Sequence, residues 1–333
     1  MAAAEGGPRR VTIDDVAEAA GVSRQTVSRA LNDKGEIGVA TKQRVLDAAQ
    51  ALGYRPSRFA RGLVRQDTFS VGLVIPDLLN PFFTEVAAAA LEAARVLGWH
   101  VVVYDTGDRV DEERSTLEVI ASQVDAVVGY LSLPEDEIVR LTRGLPVVLI
   151  DRKHRTEWFS SILIDGEAGV HAAIRHLSRA GHRHIGMLDL AERSEPSVRH
   201  DWFEGAMTAC GLDATAVARA DQSVEGGERA LQELLAQHPE LTAVFMFNDI
   251  IAIGGLRAAR RLGRKVPEDL AVVGFDGLRL GTLVEPPLTT VALDTRGLGA
   301  LAVEEAARLL TGSGPRRTDV LTVGAELRLR GSA

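Results

Sequence analysis

From Ser70 onward the chain repeats one pattern, in which a short apolar run precedes a stretch with helical periodicity. Strands that alternate with helices pair in parallel, because each helix returns the chain to the same edge of the sheet. The predicted strands form two sets: residues 70–75, 99–105, 126–132, 146–151 and 161–165, then residues 185–189, 243–247, 270–275 and 289–291. This feature predicts an α/β body with two parallel sheets and a cleft between them.

The charge is distributed unevenly along the 333 residues, a length that suits two or three domains. Residues 1–65 hold 11 Lys and Arg against 7 Asp and Glu, whereas the rest of the chain holds 27 against 39. A small basic segment on a large acidic body is expected when only that segment meets phosphate groups.

One cysteine excludes an internal disulfide, and the sequence has neither a secretory signal nor an apolar run of about 20 residues. We therefore expect a cytoplasmic protein.

The basic segment predicts three short helices. The first covers residues 13–20 and ends at Gly21, the second covers 24–31, and the third covers 42–52 with Thr41 as its N-cap. The side chains expected inside are Ile13, Val16, Ala17, Ala20, Val27, Ala30, Leu31, Val45, Leu46 and Ala49. A three-residue turn between the first two helices makes this unit a helix-turn-helix.

The second helix turns polar side chains outward. Arg24 and Arg29 suit the O6 and N7 atoms of guanine, and Gln25 suits the N6 and N7 atoms of adenine. Short hydroxyl side chains near helix N-termini suit phosphate contacts. A solvated polar face is the alternative interpretation of the same pattern.

Residues 11–32 resemble the headpiece of the LacI–GalR (lactose-repressor-like) family of bacterial transcription regulators over nearly their whole length, VTIDDVAEAAGVSRQTVSRALN. Residues 53–56, GYRP, resemble its end. The resemblance implies a DNA-binding headpiece in residues 11–56, in which Arg24, Gln25 and Arg29 read bases. The residues expected to contact DNA, linker included, are Thr12, Ser23, Arg24, Gln25, Thr26, Ser28, Arg29, Asn32, Tyr54, Ser57, Ala60 and Leu63.

Residues 57–66 are, by the same resemblance, a hinge helix that pairs with its twin and enters the minor groove. Leu63 matches the leucine that wedges between base steps, and Ser57 stands where the family usually has Asn. A two-turn helix is marginal alone in water, and Gly62 weakens it by about 1 kcal/mol relative to alanine. We therefore expect the hinge to fold only when two copies meet on DNA; a flexible basic linker is the alternative.

The resemblance continues through the body and implies a two-lobed periplasmic-binding-protein-like fold with a small, sugar-like effector. The first lobe is expected to comprise residues 70–163 plus 294–320, and the second residues 164–293 plus 321–330. Ligands of open α/β sheets bind beyond the carboxyl ends of strands, where polar side chains with paired hydrogen bonds determine which ligand fits.

Several polar side chains follow predicted strands. Asp151, Asn248 and Asp276 each match an effector-contact position of the family, whereas Asp249 resembles a structural acid. Phe82 or Phe83 could cover the apolar face of a sugar ring. The residues expected to bind the ligand are Asp77, Asn80, Phe82, Asp151, Arg199, Trp202, Asn248 and Asp276.

One departure from the family concerns residues 197–206. The family typically has an Arg three residues before a Gly-aromatic pair. Here Trp202 stands three residues before Gly205, and Arg199 stands six before it. Either Arg199 reaches the cleft from the loop or Trp202 replaces the guanidinium with a stacking surface.

The remaining expectations concern assembly and metals. Residues 87–91 present a small-residue face that the resemblance assigns to dimerisation, so we expect a homodimer on a pseudo-palindromic operator. His182 and His184 lack a third ligand at short spacing, so a structural role is favoured and no metal is expected. Cys210 is expected in the core.

The sequence lacks the common nucleotide-binding, zinc-protease and serine-hydrolase motifs, so we expect neither an enzyme nor a cofactor. The favoured interpretation is a ligand-responsive, sequence-specific repressor of carbohydrate-related genes. The alternatives are a sugar-binding protein and a DNA-binding protein that does not depend on a ligand.

Overall fold

The computed structural model describes residues 13–31, 37–52, 69–152, 156, 158–191, 195–312 and 320–333. The chain divides into two compact units, residues 1–69 and residues 70–333. Six of the expected DNA contacts lie outside the described residues: Thr12, Asn32, Tyr54, Ser57, Ala60 and Leu63. The expected hinge helix, residues 57–66, lies outside them as well.

The first unit contains three packed helices, α1 (Ile13–Ala20), α2 (Arg24–Leu31) and α3 (Val39–Ala51). Its core centres on Val16, Val27 and Val45, which are all fully buried. The side chain of Ser23 accepts a hydrogen bond from the backbone N–H of Thr26 at 3.1 Å and so caps α2. The helix-turn-helix fold predicted from the sequence is confirmed.

Two details of this unit differ from the prediction. Helix α3 begins at Val39, so Thr41 lies in its first turn and is not its N-cap. The apolar periodicity did not indicate this first turn because Val39 is 86% exposed. Leu46, expected inside, is 38% exposed.

The second unit is the α/β body, and all nine predicted strands are present, the first with its predicted ends and the other eight with at least one end shifted. Its strands are β1 (Ser70–Ile75), β2 (His100–Asp105), β3 (Ala126–Gly129), β4 (Val147–Ile150), β5 (Ser160–Asp165), β6 (Ile185–Leu190), β7 (Val217–Ala220), β8 (Ala243–Met246), β9 (Ala271–Asp276), β10 (Thr289–Leu293) and β11 (Val320–Arg328). Its helices are α4 (Pro81–Val96), α5 (Val110–Ile120), α6 (Glu135–Thr142), α7 (Glu167–Arg179), α8 (Val198–Ala209), α9 (Val224–Gln237), α10 (Asp249–Arg261) and α11 (Thr295–Thr311), with a 3₁₀ turn at Arg279–Thr282. The sequence pattern missed β7 and β11.

The strand order is β2-β1-β3-β4-β5-β11-β10-β9-β8-β6-β7. All neighbouring strands in this order pair in parallel except β10 and β11, which pair antiparallel. Strand β11 pairs with β5 up to Gly324 and with β10 from Ala325 onward. It therefore joins the two expected sheets and separates a first lobe (β1 to β5) from a second lobe (β6 to β10).

Helices α4 and α11 pack closely in the first lobe. A Cβ atom on Gly299 would lie 2.4 Å from the Val86 carbonyl oxygen and 2.7 Å from the Ala89 side chain, so only glycine fits there. Ala87, Ala89 and Ala90 are buried, whereas Leu91 is 40% exposed. Much of the small-residue face assigned to dimerisation is thus covered within the chain, because close helix packing requires small side chains.

Among the described residues, no helix is long and apolar enough to cross a membrane. Nor do those residues contain a group of three or more His, Cys, Asp or Glu side chains arranged to hold a metal ion. Cys210, expected in the core, is partly exposed at the C-terminal end of α8.

Candidate functional site

Two acids occupy strained backbone positions where strands of opposite lobes end. Asp151 follows β4 with a φ of 55°, and Asp276 ends β9 with a φ of 106°. Residues other than glycine adopt positive φ uncommonly, and such positions cluster at binding and active sites. The carboxyl ends of parallel strands are also where α/β sheets bind ligands.

Arg199 pairs with Asp276 inside the second lobe. The distance between Arg199 Nη2 and Asp276 Oδ1 is 3.2 Å, and the two side chains are 13% and 3% exposed. Arg199 Nη1 also donates to the backbone carbonyl of Phe247 at 2.6 Å. The guanidinium carbon lies 4.3 Å from the ring centroid of Phe247 and 3.9 Å from that of Phe275. These contacts together hold the guanidinium of Arg199 in one orientation.

Trp202 lies one turn further along α8, on the same face as Arg199. Its ring stacks on Phe275, with 6.3 Å between centroids and 23° between planes. A Cβ atom on Gly166 would come within 2.7 Å of both rings. The structure therefore brings both Arg199 and Trp202 to Phe275, where the sequence left the choice between them open.

Burial raises the pKa of Asp276 to about 7. Arg199 opposes this shift, whereas the charges of Asp151 and Glu85 add to it. Asp276 thus changes its charge near neutral pH.

Asp249, at the start of α10, is fully buried, and burial together with the charge of Asp276 raises its pKa to about 8. Its Oδ1 accepts from the Thr290 hydroxyl at 2.6 Å, and its Oδ2 accepts from the backbone N–H of Leu278 at 2.7 Å. These bonds tie α10 to β10 and to the loop after β9. They favour the structural role that the sequence assigned to Asp249.

The three other polar candidates are engaged in local hydrogen bonds. Asn248 caps α10, and its amide also donates to Gln222 Oε1 at 3.2 Å. Asn80 caps α4 through the backbone N–H of Phe82, and Asp77 Oδ1 accepts from that of Leu79 at 2.7 Å. These bonds hold the loops after β8 and β1 in shape.

Three aromatic rings line the first lobe near these loops. Phe82 is 5% exposed, whereas Phe83 is half-buried, so Phe83 has the more accessible ring. Tyr130 packs edge-on against both, with centroid distances of 6.4 Å to Phe82 and 5.0 Å to Phe83. The pKa of Tyr130 is raised well above its usual value by burial and by the charges of Asp151 and Asp276.

Sequence reasoning missed two of these residues. Tyr130 lay inside the predicted strand 126–132, but β3 ends at Gly129 and leaves Tyr130 at its carboxyl end. Glu85, on α4, bonds to the backbone N–H of Arg279 and to the Thr295 hydroxyl at 3.4 and 3.2 Å, and no local pattern indicates such distant partners.

The outer face of α2 is accessible. Arg24, Gln25 and Arg29 are exposed, whereas Thr26 and Ser28 are half-buried. Arg24 Nη1 lies 3.6 Å from Asp14 Oδ2, and both side chains are largely exposed. An exposed ion pair of this kind is weak and leaves Arg24 available to a stronger partner.

Two family models match the chain. Residues 12–57 match the model described as bacterial regulatory proteins, lacI family, and residues 174–333 match that of a periplasmic binding protein-like domain. The ribose operon repressor of Halalkalibacterium halodurans is 35% identical over 87% of this chain and 88% of its own length. The transcriptional repressor CytR of Escherichia coli K12 is 33% identical over 96% of both chains.

Solved structures show the same similarity. A LacI family regulator from Arthrobacter sp. FB24 in complex with lactose is 36% identical, with a TM-score of 0.74, over 80% of this chain and 99% of its own. The lac repressor dimer bound to operator and the anti-inducer ONPF is 27% identical, with a TM-score of 0.76, over 97% and 99%.

Proposed function

This chain belongs to the lacI family of bacterial regulatory proteins. On this basis we propose which part of the chain binds DNA and which part binds the effector. It is a ligand-responsive, DNA-binding transcription repressor and not an enzyme. The headpiece, residues 11–56, holds the operator. The two-lobed body binds a small sugar-like effector that changes operator affinity.

The observation that carries the proposal is the position of Asp151 and Asp276 at the carboxyl ends of β4 and β9, one strand from each lobe, with Arg199 paired to Asp276. Groups from two lobes bind one ligand only when the lobes take a particular relative angle. A ligand therefore favours one lobe angle over others and shifts the population towards it. Binding at one site is coupled in this way to the affinity of another.

On the DNA side, we propose that Arg24, Gln25 and Arg29 read base edges in the major groove. Ser23 and Thr26, at the N-terminus of α2, contact phosphates. Residues 57–66 form the hinge that links lobe angle to the headpiece. Two copies bind a pseudo-palindromic operator, and because the target is bacterial DNA we place the protein in the cytoplasm.

In the cleft, we propose that Asp151, Asp276 and Arg199 bind ligand hydroxyls, while Phe83 and Trp202 offer apolar faces to a sugar ring. Asn248, Asn80 and Asp77 act mainly by holding the surrounding loops. Phe82 supports Phe83 from within the core.

The test uses the purified full-length protein. Selection from random duplexes at moderate salt should enrich a two-fold-symmetric sequence, and at least one sugar of a panel that includes lactose, cellobiose and ribose should raise the melting temperature. The same sugar should change the Kd for the selected duplex in the wild type but not in Asp276→Asn. The proposal would be contradicted if the selected duplexes contained no two-fold-symmetric sequence. It would also be contradicted if no sugar of the panel changed the affinity of the protein for DNA.

A further inference from the structure

Asp14 and Arg24 are paired on the side of the headpiece that is proposed to read bases. Asp14 lies in the first turn of α1, and its Oδ2 is 3.6 Å from Nη1 of Arg24, the first residue of α2. The two side chains are 63% and 70% exposed, so water screens the pair in the free protein and it adds little stability. The fold of the headpiece therefore does not explain why an acid stands beside this arginine.

An acid in this place weakens DNA binding unless it makes a contact of its own. Phosphate groups repel a carboxylate at the interface, so Asp14 lowers the affinity for every duplex when it contacts no base. A hydrogen bond to a base offsets this repulsion. Such a bond becomes stronger when the headpiece meets DNA, because water leaves the surface between them and charged groups hydrogen-bond more strongly in drier surroundings.

The pair leaves hydrogen-bonding atoms available for bases. Arg24 meets Asp14 through Nη1, so its Nη2 and Nε can face the O6 and N7 atoms of guanine. Asp14 Oδ1 accepts hydrogen bonds and, when ionised, cannot donate them. In the major groove, cytosine donates through N4 and adenine through N6, whereas guanine and thymine present only acceptors there. The base that faces Asp14 must therefore be cytosine or adenine.

We infer that Asp14 is a specificity-determining residue in operator recognition, which orients Arg24 on a guanine and selects cytosine or adenine beside that guanine. The inference rests on the proposed function, because it adds one base contact to the same protein–DNA interface. It assigns a role in DNA reading to α1, which lies before the helix that carries Arg24, Gln25 and Arg29.

The experiment compares the full-length wild type with Asp14→Ala, Asp14→Asn and Glu18→Ala. Glu18→Ala is the matched control, because Glu18 is an exposed acid one turn further along the same face of α1. Each protein is titrated with the symmetric duplex selected by the wild type, with duplexes substituted one base pair at a time, and with random DNA. In a further duplex the base beside the guanine lacks its exocyclic amino group, as 2-pyrimidinone in place of cytosine or purine in place of adenine.

Both alanine variants should bind random DNA more tightly than the wild type, because each loses a carboxylate that phosphates repel. Only Asp14→Ala should also lose preference for the base beside the guanine, by about tenfold, and preference for the guanine itself should fall with it. Asp14→Asn should retain part of this preference, because its amide oxygen still accepts. The duplex without the amino group should bind the wild type about tenfold more weakly and Asp14→Ala no more weakly than the unmodified duplex does, since both changes remove the same bond.

Three results would overturn the inference. Wild-type base preference in Asp14→Ala would show that the carboxylate contacts no base, while the proposed function would stand. Equal affinity of the wild type for duplexes with and without the amino group would lead to the same conclusion, and this measurement does not depend on any variant folding. Failure of the wild type to select a symmetric sequence would contradict the proposed function and the inference together.

Discussion

Glu85 in the first lobe accepts a hydrogen bond from the backbone N–H of Arg279 in the second, with 3.4 Å between Oε1 and N. Its Oε2 accepts from the Thr295 hydroxyl at 3.2 Å, where α11 begins. The charge of Glu85 also contributes to the raised pKa of Asp276. One carboxylate on α4 therefore joins the lobes beside the acid that we propose contacts the ligand.

Replacing Glu85 by alanine should loosen the contact between the lobes. Both hydrogen bonds disappear, which should cost about 1–2 kcal/mol of stability, and the Arg279 amide should exchange its hydrogen faster. Glu85→Gln is the matched control, because its amide can still accept from Arg279 and donate to Thr295. Hydrogen exchange followed by mass spectrometry on the segment containing Arg279 measures the effect. Equal exchange in wild type and Glu85→Ala would show that the contact does not hold the lobes.

The fold was predictable from the sequence wherever local patterns agree with tertiary packing. The strands β3, β4, β8 and β9 are continuous apolar runs because both faces of a parallel sheet are covered. Strand β11 was missed because its residues are only partly buried and its partners β5 and β10 are distant in sequence. No local pattern encodes a strand that leaves one sheet for another.

The candidate site was predictable only in part. Asp151 and Asp276 follow obvious strands, so their position at the carboxyl ends could be foreseen. Tyr130 could not, because an aromatic residue after an apolar run is easily counted as part of the strand. Its position depends on where β3 ends, and the end of a strand is not fixed by a local pattern.

Removing the Arg199 side chain should destabilise the body in a pH-dependent way. Arg199→Ala leaves the carboxyl of Asp276 buried without its cation, which should cost about 3 kcal/mol when Asp276 is ionised. The pKa of Asp276 is about 7, so at pH 5 the group is protonated and the loss should be clearly smaller than at pH 8. Urea unfolding at both pH values measures this.

Arg229→Ala is the matched control for this experiment. Arg229 pairs with Asp221 at 2.6 Å, but the two side chains are 64% and 56% exposed, so the loss should stay below about 1 kcal/mol. A similar loss in both variants, or the same loss for Arg199→Ala at both pH values, would contradict a buried pair with a titrating acid.

A methyl group at Gly166 should disturb the aromatic pair in the second lobe. The Cβ atom of Gly166→Ala would lie 2.7 Å from atoms of Phe275 and Trp202, so one ring must move. Overpacking of this kind costs about 1–3 kcal/mol, and weaker sugar binding should accompany it if Trp202 lines the cleft. Gly324→Ala is the control, because its Cβ would meet nothing within 4 Å. Unchanged melting and binding in Gly166→Ala would show that the rings are not confined.

Replacing Arg24 should change which DNA sequence is bound. If Arg24 reads a base, Arg24→Ala should relax preference at one position of each half-site by about 1–3 kcal/mol. Arg44→Ala removes another exposed positive charge, on α3, and should weaken all duplexes alike. Competition binding with operators substituted one base pair at a time distinguishes the two effects. Retained preference in Arg24→Ala, with only lower affinity, would assign Arg24 to the phosphate backbone.

Replacing Asp249 by asparagine should reduce the pH dependence of stability. Burial raises its pKa to about 8, so the native state holds a proton that the unfolded chain releases near pH 4. The stability that this proton contributes is present at low pH and is lost as pH rises from about 4 to about 8, by up to about 1.4 kcal/mol per pH unit. Asparagine never ionises, and its amide can donate to Thr290 while its oxygen accepts from Leu278. Asp249→Asn should therefore exceed the wild type in stability above pH 8. Asp269→Asn, which also removes one carboxylate but on the exposed surface, is the control. Urea unfolding between about pH 5 and pH 9 measures the stability of each protein. Parallel profiles of stability against pH for all three proteins would mean that Asp249 is ionised throughout that range.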